Sequence, residues 1–118
     1  MALEQPECPL TLHALSMRHD ETGSTLTLRV GNDGKASVTR YTITAWVMMA
    51  DGTPKGSQRW QQKTALEPGE ARPLSLALRT VRVSPSDAVV LAVLDTQGDA
   101  WKGDEKLLER EARAVAVR

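Results

Sequence analysis

A chain of 118 residues, 41% hydrophobic and 25% charged, has room for one domain core and no second, and it carries no apolar run long enough to span a bilayer. Fifteen Lys and Arg balance fifteen Asp and Glu, for a formal net charge of zero, and no basic cluster supplies the electrostatic footprint that DNA or RNA requires. One cysteine closes no internal disulfide, so the core must hold the fold together by packing alone.

In chain order, residues 1–10 place Glu4, Pro6, Glu7 and Pro9 where a signal peptide would have a basic start and an apolar core. The segment reads as a loose terminus that includes Cys8. The sequence is compatible with a secreted, periplasmic or cell-surface location and equally with a cytoplasmic one. Leu10 and Leu12 share one parity while Leu15 and Met17 share the other, which predicts a first strand with a bulge near Ala14.

The next segment, 24–30, is the clearest strand: Leu26, Leu28 and Val30 lie on one face, Thr25, Thr27 and Arg29 on the other, the signature of a half-buried sheet. Gly31-Asn32-Asp33-Gly34 then turns the chain. Over 39–50, Tyr41, Ile43, Ala45, Val47 and Met49 alternate with Thr42, Thr44, Trp46 and Met48; the first set is the expected core face. Asp51-Gly52 signals a hairpin, and the polar segment 57–63 that follows, with Trp60 its one large apolar residue, suits an edge strand. A turn at 66–70 leads to a strand in which Leu74, Leu76 and Leu78 alternate with Pro73, Ser75 and Ala77.

Residues 88–94 are apolar on both faces, as in a strand covered on both sides. A turn at 96–99 precedes a short strand around Trp101. The tail, 104–118, reads as a helix with Leu108, Ala112 and Val115 on one side and Asp104 and Glu105 at its start, where the helix dipole favours acids; its end, 112–117, could instead extend as a strand. With about seven strands and no amphipathic helix between them, the pattern predicts an all-β, immunoglobulin-like antiparallel Greek-key sandwich over 8–103, followed by a short C-terminal helical tail.

The run from Leu26 through Val30 to Gly31-Asn32-Asp33-Gly34, the long strand ending at Asp51-Gly52, Leu66-Glu67-Pro68-Gly69-Glu70 before a leucine-alternating strand, and the segment from Gly98 to Trp101 together resemble the bacterial immunoglobulin-like accessory domains, a group that includes CARDB-like and FxLYD-type sandwiches. The chain has no Phe and so lacks the signature that names the second of these. The resemblance covers roughly 8–102 and implies an adhesion, spacer or assembly module, often attached to a larger surface protein.

Motifs for chemistry are sparse. His13 and His19 would stand about 20 Å apart on an extended strand and share no metal. Cys8 has no basic neighbour in sequence to activate its thiol, no serine sits in a Gly-x-Ser-x-Gly elbow, and the glycines mark turns, not a phosphate-cradling loop. Loop acids at Asn32-Asp33 and between Asp95 and Asp99 should emerge at one end, yet calcium needs six to eight oxygens there. The expectation is a chain that is not an enzyme and uses no cofactor or metal.

Aromatic placement gives the sharper expectation. If Ile43, Ala45 and Val47 face the core, Trp46 and Met48 face outward, where Trp60 and Trp101 on neighbouring strands could join them in a partner-binding patch. The competing arrangement has the C-terminal helix folded over that face, or Trp60 and Trp101 pointing inward. The patch would meet a protein partner or a second copy of the chain; a planar row of indoles beside Gln58, Gln61 and Gln62 would instead take carbohydrate, and a covered patch would leave a ligand-free spacer.

Overall fold

The computed structural model of the chain describes residues 1–117. Seven strands precede one helix: β1 (Leu10–Asp20), β2 (Gly23–Asn32), β3 (Val38–Met48), β4 (Pro54–Gln62), β5 (Ala71–Leu78), β6 (Ala88–Gly98), β7 (Trp101–Lys102) and α1 (Glu105–Ala116). They form a three-stranded sheet in the order β1-β2-β5 and a four-stranded sheet in the order β4-β3-β6-β7. Every strand pair is antiparallel, and the chain crosses between sheets after β2, β4 and β5, the connectivity of an immunoglobulin-like Greek-key sandwich.

The main core lies between the two sheets. Leu26, Leu28 and Val30 of β2 meet Leu76 and Leu78 of β5 from one side, and Ile43, Ala45 and Val47 of β3 with Val89, Leu91 and Val93 of β6 from the other. The two-residue rhythm produces this directly, because alternate side chains of a pleated strand leave on opposite faces. In β1 the pairing with β2 slips between His13 and Ser16, the bulge that the phase change from Leu12 to Leu15 requires. A second slip, between Thr42 and Ile43 against β6, makes Leu94 the extra residue of that strand.

Turn chemistry fixes the connections. Asp20 accepts from the Thr22 amide at 2.8 Å and Asp51 from the Thr53 amide at 2.9 Å, each closing a hairpin through an Asx turn. Gly98, at φ 88°, lies so close to the Ser37 carbonyl that a Cβ there would stand 2.5 Å from its oxygen; both the backbone angle and the approach demand glycine. Asn32 is fully buried. Its amide donates to the Ala36 and Leu66 carbonyls at 2.9 Å each and accepts from the Gly34 amide at 2.9 Å, so one side chain satisfies the crossover loop after β2 and ties it to the segment leading to β5.

The N-terminal segment, expected to be loose, is ordered against the sheets. Cys8 is 7% exposed and belongs to the main core, because a turn closed by its amide on the Gln5 carbonyl at 3.0 Å carries the thiol under β1. Burial pushes that thiol up to about 11.

Candidate interaction surfaces

The outer face of the four-stranded sheet is covered. Trp46 and Met48 do point outward from β3, as the pleat dictates, but they are 5% and 0% exposed because α1 lies across them. Together with Val90, Ala92 and Leu94 of β6 they pack against Leu108 and Ala112 of the helix in a second cluster. Local sequence explains the docking. Asp104 caps the helix by accepting from the Lys106 and Leu107 amides at 3.1 and 3.2 Å, which satisfies two of its orphan donors. The Gly103 amide donates to the Leu94 carbonyl at 2.8 Å, fixing where the helix leaves the sheet, and Arg59 on β4 pairs with Glu105 in its first turn.

The expected patch of Trp46, Met48, Trp60 and Trp101 therefore does not form. Trp60 pairs across the ladder with Ile43 and Trp101 with Thr96, which place both indoles on the inner face, half-buried against the main core. The three tryptophans occupy opposite sides of one sheet, so no planar row of rings is available to a sugar. Trp60 instead bridges the two sheets, its indole N–H donating to the Ala77 carbonyl of β5 at 3.1 Å. Gln58 donates to the same carbonyl at 2.9 Å and accepts from the Arg79 amide at 2.9 Å. Together they seal the side of the sandwich where the β4 and β5 edges would otherwise present unpaired main-chain groups.

The outer face of the three-stranded sheet has no such cover. Register places His13 opposite Arg29 and Arg18 opposite Thr25 on β1 and β2, with Thr27 opposite Ser75 and Arg29 opposite Pro73 on β2 and β5. These outward positions are mostly short side chains and cations; the one strand carboxylate on that face, Asp20 at the end of β1, accepts from the Thr22 amide and hydroxyl at 2.8 and 2.7 Å. Asp33 sits at its rim and is already engaged, accepting from the Thr11 hydroxyl at 2.8 Å, while the same hydroxyl lies 2.9 Å from His13 Nε2. Arg29 reaches the Ala71 carbonyl at 3.4 Å.

The remaining candidates do not gather into a site. His13 lies on the bare face and His19 at the far end of β1, where its ring is 2.8 Å from the Ser24 hydroxyl. The loops that carry Asp33 and Asp99 do emerge at one end, since a Cβ on Gly34 would touch the Asp99 carboxylate. No group of three metal-ligating side chains assembles among the described residues. A cleft of about 560 Å³ near the β1–β2 turn is lined by Arg79 and Arg82 together with Asp20 and Glu21, a mixed lining that selects no charge. No helix among the described residues is long and apolar enough to cross a membrane.

No family model matches the sequence, and no curated protein matches it. Solved structures do. A hypothetical protein of Peptoclostridium difficile 630 superposes with a TM-score of 0.62 at 12% identity, over 90% of this chain and 92% of that one. The trimeric lipoprotein SadB of Salmonella enterica superposes with a TM-score of 0.52 at 18% identity, over 71% of this chain and 50% of its own. At such identities the likeness is one of fold.

Proposed function

We propose that this chain is a non-catalytic binding module, of the bacterial immunoglobulin-like accessory kind, that meets an acidic protein surface through the outer face of its three-stranded sheet. The observation that carries the reading is the contrast in charge and cover on that face. His13, Arg18 and Arg29 stand among threonine and serine, and the two carboxylates at the ends of that face, Asp20 and Asp33, are engaged by Thr22 and Thr11, whereas on the covered sheet Arg59 has its partner in Glu105. A flat array of short side chains admits close approach of another surface, and Arg18 on the edge strand and Arg29 on the central one, in no ion pair among the described residues, steer an acidic one. A trimeric lipoprotein with a related fold is compatible with a module that works by association at a cell surface.

The test is a titration of the isotope-labelled chain with a glutamate-rich peptide, followed by amide chemical shifts. Perturbation should concentrate on β1, β2 and β5, weaken several-fold as salt is raised, and vanish in the double variant R18E/R29E with the fold retained. Shifts that map to α1 or β4, or no shifts at low salt, would overturn the reading. A neutral-glycan array should remain silent, since the indoles are not presented.

A further inference from the structure

Where β1 and β2 approach the crossover loop, the bare face carries a short chain of hydrogen bonds. Thr11 and His13 leave β1 on that side, with Thr11 opposite Gly31 and His13 opposite Arg29. Thr11 donates its hydroxyl proton to Asp33 Oδ2 at 2.8 Å, and the same oxygen lies 2.9 Å from His13 Nε2. A hydroxyl has one proton to give, and a carboxylate only accepts. The proton between Thr11 and His13 therefore belongs to the ring: Nε2 carries an N–H and donates to Thr11 Oγ1. Gly31 makes room for the arrangement. A Cβ there would stand 3.3 Å from Nε2 and 3.4 Å from Oγ1, so the ring and the hydroxyl lie against the space that a side chain would take.

With Nε2 committed in this way, the second ring nitrogen decides the charge. His13 is exposed, and its Nδ1 offers a lone pair in the neutral ring and an N–H in the cationic one. Adding that proton disturbs nothing along the chain, because Nε2, Oγ1 and Oδ2 keep the same donor and acceptor roles in both states. What changes is the face. The charged groups around the ring are Arg29 across the ladder on β2, Asp33 through Thr11, and Glu4 of the N-terminal segment, which lines a cleft with Thr11 and His13. At this level β5 brings only Ala71 and Pro73. A carboxylate that meets both His13 and Arg29 is attracted by one cation when the ring is neutral and by two when it is protonated.

We infer that His13 makes recognition of an acidic surface proton-dependent: the face takes up a proton at His13 Nδ1 as a carboxylate seats between that ring and Arg29. The inference rests on the binding reading above and assigns a regulator to the same face. Histidine is the side chain whose charge changes between about pH 5 and 8, so the response falls in that window. No backbone movement is needed, since the ring is already held by Thr11 in the orientation that leaves Nδ1 free.

The experiment titrates the full chain with a glutamate-rich peptide at about pH 8 and about pH 6, a range over which glutamate stays ionised while imidazole gains its proton. Affinity should rise at least about threefold at the lower pH. Calorimetry near neutral pH in two buffers of different ionisation enthalpy should register proton uptake on binding. H13Q should bind equally at both pH values and lose that uptake, while H19Q retains the response of the parent. Long-range proton–nitrogen spectra at the higher pH should find the His13 proton on Nε2. Peptide binding without pH dependence, a dependence that survives H13Q, or a neutral ring protonated at Nδ1 overturns this inference and leaves the binding reading standing. A peptide that binds at neither pH brings down both.

Discussion

The two outer faces of this sandwich begin from the same backbone geometry and end in opposite environments. On the four-stranded sheet, β3 and β6 send Trp46, Met48, Val90, Ala92 and Leu94 outward, and α1 buries them with Leu108 and Ala112. On the three-stranded sheet, β2 sends Thr25, Thr27 and Arg29 outward, and nothing among the described residues covers them. The difference follows from hydrophobic balance. An apolar outer face is unstable in water at roughly 25 cal/mol per Å² and recruits the amphipathic helix, while a threonine-rich face is already solvated and has no need of one. The chain therefore spends its one helix on the face whose residues demand it, and the other face stays available.

Removing the reason for cover should have the largest effect. Trp46→Ala leaves a cavity between β3 and α1, with an expected loss of about 3–5 kcal/mol, measured by denaturant unfolding followed by circular dichroism. A loss below about 1 kcal/mol, in the range of exposed-surface changes, would mean that α1 does not rest on this face in solution and that Trp46 is open after all. A smaller effect concerns charge at the end of the same sheet. Asp87 accepts from Lys55 at 2.5 Å and from the Ser84 amide at 2.8 Å, and the Lys55 ammonium, followed by that amide, holds its carboxyl below the ordinary value of 3.8. A depressed carboxylate stabilises the fold above its unfolded value and loses that contribution as pH falls through its folded one. Asp87→Asn should thus be less stable than the parent at pH 7, and the gap should close as pH drops below 3.8. A gap that is constant with pH would assign the loss to packing instead.

The legible and illegible parts of the molecule divide along physical lines. Leu26, Leu28, Val30 and Ile43, Ala45, Val47 reveal their faces because a strand buried on one side has a period that only one register satisfies. The bulge in β1 and the cap at Asp104 are equally local. Which surface α1 covers is a tertiary choice, yet two signals point to it: residues 88–94 are apolar on both faces, and the tail carries a stripe through Leu108 and Ala112. An outer face that is apolar and a helix that needs an apolar floor are complementary. Trp60 and Trp101 fall on the inner face against expectation because a single aromatic in a polar strand carries no phase of its own; register against Ile43 and Thr96 decides it. The pairing of residues 1–5 with β6, Ala2 beside Leu91, leaves no signal, since five residues show no periodicity and Gln5 joins the Val93 main chain through its side chain. Asn32 reads as a turn former and proves to be the buried tie of a crossover, a role that depends on the Leu66 carbonyl arriving from 34 residues away.

The smallest expected effect tests the bare face by its indifference. Thr27 sits at the middle of the three-stranded sheet, opposite Ser16 on β1 and Ser75 on β5, and it is exposed. If the face is free in the isolated chain, Thr27→Ala removes one branched side chain from a solvated surface and changes stability by no more than about 0.5 kcal/mol. If a second copy or a folded-back segment covers the face in solution, the same change strips contacts from an interface and the loss exceeds about 1 kcal/mol, with a midpoint that depends on protein concentration. Measuring T27A at two concentrations roughly a hundredfold apart distinguishes the two, because a solvated residue responds to neither. A concentration-independent loss below about 0.5 kcal/mol, within the range for surface substitutions, is the outcome that the contrast between the two faces requires.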